Sequence, residues 1–146
     1  MKPERFFSEE DKLFITNAIK DAEVNTSGEI RVHLETKCKE DVLDRAAFIF
    51  EKLKIHETKL RNGVLFYLAV EDRKFAILGD AGINQVTSED FWDNIKVEML
   101  THFKDGDFSK GLVHGIQMTG EALKSYFPYQ RDDVNELSDE ISFGEK

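Results

Sequence analysis

The chain has 146 residues and a mass of 16.8 kDa, within the roughly 100–200 residues of a single domain. Lys and Arg number 20 against 29 Asp and Glu, a net charge of −9. Such a surface repels phosphate backbones and anionic headgroups, so a nucleic-acid partner is not expected. One cysteine, Cys38, excludes an internal disulfide and a thiolate zinc cluster.

At 40% hydrophobic with 12 Phe, the composition is that of a globular domain. Residues 1–10 are charged and lack the apolar stretch of a signal peptide. The longest apolar run, residues 63–70, is far short of the ~18 residues that a membrane helix needs. The sequence therefore predicts a soluble, cytoplasmic monomer with no integral membrane segment.

Ser8 followed by Asp11 is a capping-type start, and Ile15, Ala18, Ile19 and Ala22 then recur at helical spacing. Residues 25–28 stop this helix. Residues 29–36 alternate: Ile30, Val32 and Leu34 share one face, and Glu29, Arg31, His33 and Glu35 share the other. That pattern predicts a half-buried strand at a sheet edge. Asp41 can cap a second helix with Leu43, Ala46, Ala47, Phe50 and Leu53 as its buried stripe. Residues 64–70 are apolar on both faces, which predicts a central strand. The short polar turn 71–74 leads into residues 75–78, an antiparallel hairpin partner. Residues 79–84 read as a loop with two glycines.

Thr87 or Ser88 caps a third helix containing Phe91, Ile95, Met99 and Phe103, and Asp107 or Ser109 opens a fourth that Pro128 ends. Gly111 and Gly115, four apart on that helix, predict close approach of another element. Residues 131–146 carry six acids against two basic residues and read as an acidic, extended carboxy-terminal tail. Val134, Leu137, Ile141 and Phe143 could pin that tail to the surface. Because apolar periodicity ends at Phe127, removing the tail is expected to leave the core folded.

The order α-β-α-β-β-α-α predicts a three-layer α/β/α sandwich over residues 1–130. Its small mixed sheet has two parallel strands plus an antiparallel hairpin strand in the order 1-2-3, with about four helices. Two sheet edges then collect oxygen ligands. Glu29, Asn62 and Asp80, with Asn84, meet at one edge, where two strand starts join a strand end. Asp41, Glu71, Asp72 and Asp107 gather at the other. Each of these residues also has a plain structural reading: a solvated strand end for Glu29, a tight turn for Asp80, a hairpin turn for Asp72, a helix cap for Asp107. The four histidines show no metal-ligand spacing. His56, in the connector before the central strand, is the candidate general base. No GxSxG, P-loop or HExxH pattern is present.

Four motifs in order, Ser27-Gly28-Glu29-Ile30, Arg61-Asn62-Gly63-Val64-Leu65, Asp72-Arg73-Lys74 running into Ile77-Leu78-Gly79-Asp80-Ala81-Gly82, and Phe103-Lys104-Asp105-Gly106-Asp107-Phe108 with Gly111-Leu112, resemble the TPM domain. That family takes its name from a thylakoid lumen protein, a photosystem repair protein and a receptor modulator. The resemblance covers roughly residues 8–127. It implies an α/β/α sandwich, binding of a divalent metal, often calcium, and acid phosphatase activity as in a plant member. The commoner pattern has Asp-Asn-Gly where this chain has Arg61-Asn62-Gly63, and Gly-Tyr-Gly where it has Gly79-Asp80-Ala81-Gly82. The membrane helix of many bacterial relatives is not in this sequence.

Two functions follow as expectations. The first is a calcium- or magnesium-binding regulatory or interaction module with a protein partner. It would use Glu29, Asn62 and a dominant Asp80, with Asp41, Glu71, Asp72 and Asp107 as the alternative set. The second is a metal-dependent acid phosphatase acting on phosphate esters. All-oxygen donors favour a hard cation held at about micromolar to millimolar strength.

Overall fold

A computed structural model describes residues 2–129 and 137–144. Helix α1 spans Glu9–Glu23 and starts where the Ser8 side chain accepts from the Asp11 amide. It leads to strand β1, Glu29–Glu35, and to helix α2, Val42–Lys52, capped by Asp41 through the Leu43 and Asp44 amides. A single 3-10 turn, Ile55–Glu57, precedes β2, Gly63–Ala69, in which all seven residues are buried. Strand β3, Lys74–Gly79, runs into a one-turn helix α3, Ala81–Asn84. Helices α4, Phe91–Lys104, and α5, Phe108–Tyr126, follow, and the two-residue strand β4 is Ser142–Phe143.

The sheet order is β3-β2-β1-β4. β1 runs parallel to β2 and to β4, while β2 and β3 are antiparallel. Ile30, Val32 and Leu34 join Val64, Phe66, Leu68 and Ile77 on one face, beneath α1, α4 and α5. Leu65, Tyr67, Ala69 and Ala76 pack on the other face with Ala46 and Ile49 of α2. This is the α/β/α sandwich that the element order predicts, with β2 central. Gly111 and Gly115 do admit α4: a Cβ at either position would strike Phe103 or Met99.

Three expectations are corrected. β1 is not a half-buried edge strand. β4 pairs with it at His33 and Leu34, the Gly144 amide donates to the Leu34 carbonyl at 2.8 Å, and Glu29, His33 and Glu35 of its polar face are only 3%, 4% and 1% exposed. These side chains are buried because each is hydrogen-bonded, which removes the penalty that alternation alone would assign them. The 79–84 segment is not a plain loop, since the Asp80 carboxylate accepts from the Ala81 amide and starts α3. Helix α4 starts after Asp90 rather than at Thr87 or Ser88, and Ser88 Oγ instead donates to Asp90 at 2.8 Å.

The carboxy-terminal segment bears directly on the site. Ile141 and Phe143 pack against the core beneath α1, α4 and α5, and Leu137 packs against the opposite cluster. Val134 lies outside the described residues.

Candidate functional site

The topology brings the first expected set to one edge of the sheet. The Glu29 amide donates to the Asn62 carbonyl at 3.3 Å, and the Asp80 amide donates to the Gly63 carbonyl at 3.0 Å. Their side chains, however, turn to separate partners. Asp80, 6% exposed, accepts from Arg61 Nε at 2.7 Å, from Arg61 Nη2 at 2.8 Å and from the Ala81 amide at 2.7 Å. Asn62 Nδ2 donates to Ser27 Oγ at 3.4 Å. Glu29 Oε1 accepts from the Leu137 amide at 2.7 Å.

Arg61 and Asp80 belong to two of the motifs that carry the family resemblance, and they pair with each other. Arg61 holds this geometry with a left-handed backbone, φ 51°. Its carbonyl accepts from the Gly82 amide, and a Cβ at Gly82 would clash with the carbonyls of Leu60 and Arg61. That close approach is the reason for glycine there.

The alternative set is not gathered into one site. Asp41 caps α2 and Asp107 caps α5 through the Lys110 amide. Asp72 accepts from the Cys38 amide at 2.7 Å, while Glu71 donates its own amide to the Thr36 carbonyl. His56 is half exposed and stands 3.8 Å from the Glu57 carboxylate, its neighbour in sequence. Among the described residues, no three His, Cys, Asp or Glu side chains stand together as a preformed metal cage.

Two clusters that sequence reading missed lie on the polar face of β1. In the first, Glu23 at the end of α1 accepts from the Ile30 amide at 2.8 Å and is hydrogen-bonded to Asp139, with Glu29 close by. Burial, the Asp139 hydrogen bond and the negative charges of Asp139 and Glu29 push the Glu23 carboxyl up to about 10. It therefore keeps its proton at neutral pH. The donors are all oxygen, the type a hard cation takes, but the three side chains are not gathered into a preformed metal cage. Glu23 sits at the polar end of an amphipathic helix and Asp139 in an acidic tail, so no sequence signal could have paired them.

The second cluster centres on Glu35. It accepts from Tyr67 OH at 2.6 Å and from Arg45 Nε at 2.9 Å, and it lies 3.2 Å from His33 Nε2. His33 Nδ1 in turn lies 3.0 Å from Ser142 Oγ. Burial alone would raise the Glu35 carboxyl. The hydrogen bonds from His33, Arg45 and Tyr67 outweigh it and hold the group well below the usual carboxylate range. The same contact, together with burial, pushes the Tyr67 hydroxyl up, so it stays a donor. Ser, His and Glu in series superficially suggest a nucleophile relay. Here the glutamate is tied to a guanidinium and a phenol, and the serine lies in a paired strand. The chain of contacts fastens β4 and α2 to the sheet.

The fold and these clusters define a three-layer α/β domain whose carboxy-terminal segment is bound through acidic side chains. The chain belongs to the TPM domain family, whose model matches residues 1–122. It is similar in structure to the BA42 protein of the psychrophilic bacterium Bizionia argentinensis, with 53% identity over 97% of each chain and a TM-score of 0.91. The N-terminal domain of cg2496 from Corynebacterium glutamicum shares the fold at 15% identity and a TM-score of 0.66, over 90% of this chain and 82% of that one. The N-terminal domain of a P. gingivalis protein shares it at 17% identity and 0.68, over 84% and 80%. Among curated proteins, none matches this chain.

Proposed function

We propose that this TPM domain binds a divalent cation, calcium before magnesium, as a regulatory or protein-interaction module without hydrolytic activity. The observation that supports it is the Glu23, Glu29 and Asp139 cluster, in which one carboxylate keeps a proton that a cation would displace. Glu23 and Glu29 belong to the body of the domain, whereas Asp139 belongs to the carboxy-terminal segment. A cation held between Glu23 and Asp139 would couple binding to the docking of that segment, which is the regulatory element of the reading. Asp80, expected to dominate, is already neutralised by Arg61. The acids of the opposite edge sit on helix caps and turns, so among the described residues no general acid or base is brought to a gathered set of carboxylates.

The test is isothermal titration with calcium and with magnesium, repeated in buffers of different ionisation enthalpy to count protons. Binding with release of close to one proton near neutral pH, lost in E23Q and weakened in D139N, is the expected result. No heat and no NMR shift at millimolar cation ends the cation reading. Metal-stimulated hydrolysis of p-nitrophenyl phosphate ends the non-catalytic part of it.

A further inference from the structure

Two of the family motifs also meet far from the Glu23 cluster, at the hairpin end of the sheet. Leu68 of β2, Phe75 of β3, Leu100 and Phe103 of α4 and Phe108 of α5 line a cavity of about 190 Å³. Its walls are rigid aromatics. Phe103 meets Phe75 edge-on at a centroid distance of 5.1 Å and Phe108 at 5.3 Å. Arg73, in the turn between β2 and β3, and Lys104, in the last turn of α4, complete the lining.

Most lysines of the chain are likewise unpaired; what is particular to Arg73 and Lys104 is that both line one apolar pocket, and neither side chain makes an ion pair or hydrogen bond among the described residues. Of the acids nearby in sequence, Asp72 accepts from the Cys38 amide and Asp107 caps α5, while Asp105 follows Lys104 directly. A helix C-terminus favours a lysine, which accounts for Lys104 alone. It does not account for Arg73, which reaches the same pocket from a different element and does so with a left-handed backbone, φ 53°.

We infer that this pocket binds the carboxy-terminal residue of a partner polypeptide, with its large apolar side chain among Phe75, Phe103 and Phe108 and its carboxylate between Arg73 and Lys104. The volume argues for this occupant. Sites that enclose a whole small ligand run to about 300–1,000 Å³, so this cavity takes one leucine- or phenylalanine-sized group and leaves the rest of the ligand outside. Charge complementarity supplies the second half. An apolar pocket rimmed by two unpaired cations suits a group that carries an apolar body and an anion on the same residue, and a chain terminus is such a group. Arginine binds a carboxylate in a forked geometry, and lysine adds a point charge. The inference is independent of the cation reading, since the two sites share no residue.

The test is a 15N-NMR titration of the full chain in the presence of a chelator, so that failure of cation binding cannot mask it. The probes are the pentapeptide Gly-Ser-Gly-Ser-Phe with a free carboxylate, its carboxy-terminal amide, the same peptide ending in Ala, and N-acetylphenylalanine. The free-acid Phe peptide is expected to give saturable shifts at the Leu68, Phe75, Leu100, Phe103 and Phe108 amides. Amidation, Phe-to-Ala replacement, R73Q and K104Q should each weaken it by about tenfold, the scale of one well-placed charged or apolar contact. L100E, at a position 40% exposed and so tolerant of the change, blocks the pocket without unfolding the chain. Equal binding of acid and amide, shifts confined to other faces, or no shifts at all would overturn the inference. N-acetylphenylalanine binding as tightly as the peptide would replace the polypeptide by a small aromatic acid.

Discussion

The guanidinium of Arg61 grips both carboxylate oxygens of Asp80, at 2.7 and 2.8 Å, across 19 positions of sequence. The pair clamps the segment before β2 onto α3.

This pairing separates stability from binding. D80A removes the cap of α3 and should cost about 1 kcal/mol, the usual worth of an N-cap. R61Q should lower the melting temperature in the same direction. Calcium affinity is expected to be unchanged in D80A and strongly reduced in E23Q. The reverse order, measured by titration calorimetry, would return the site to the Glu29, Asn62 and Asp80 edge.

Glu23 also predicts a pH dependence. Its folded carboxyl titrates at about 10, against an unfolded value of 4.5. Between these values the folded state holds a proton that the unfolded state has released, so this group makes stability fall as pH rises. Below pH 4.5 both states hold the proton, so none of this loss has set in and stability is flat with pH as far as this group is concerned. E23Q keeps a hydrogen-bonding amide in place and removes the titration. Its advantage over wild type in urea melts should therefore grow from pH 5 to pH 9. A constant difference across that range would show that Glu23 is ionised in the folded protein.

Glu35 has the opposite sign. Its folded carboxyl lies below the ordinary value of 4.5, so its contribution is complete above that value and is lost on acidification. E35A at neutral pH leaves Arg45 without its buried partner and should cost about 3–5 kcal/mol. Its penalty relative to wild type should shrink as pH falls below 4. A penalty that is flat with pH would mean that packing rather than charge is what Glu35 contributes.

Deleting residues 137–146 removes β4 and the caps on β1. It takes the Leu137 amide from Glu29, the Ser142 hydroxyl from His33, and the apolar cover of Ile141 and Phe143 from the core. The loss should exceed about 2 kcal/mol, the worth of burying one large apolar side chain. An unchanged urea midpoint would restore the simpler view of a dispensable tail.

What the sequence determined by itself was everything set by neighbours a few residues apart. Apolar spacing marked where α1, α2, α4 and α5 run, though the buried side of α2 is Ala46 and Ile49 rather than Leu43 and Ala47, which are exposed; Ser8, Asp41 and one of the two candidates, Asp107, cap three of these helices. The two-sided apolar run of β2 placed it at the sheet centre, and four ordered motifs identified the family. What only the tertiary structure decided was the fate of the polar side chains. The alternation of β1 says that Glu29, His33 and Glu35 share a face, not that Leu137, Ser142 and Arg45 come to cover it. Asp80 in isolation is a loop acid with ligand chemistry; beside Arg61 it is one half of an ion pair. Glu23 and Asp139 are far apart in the chain and are hydrogen-bonded only because the carboxy-terminal segment returns to β1. A carboxylate is defined by its partners, and partners that meet through folding leave no periodicity for a sequence to display.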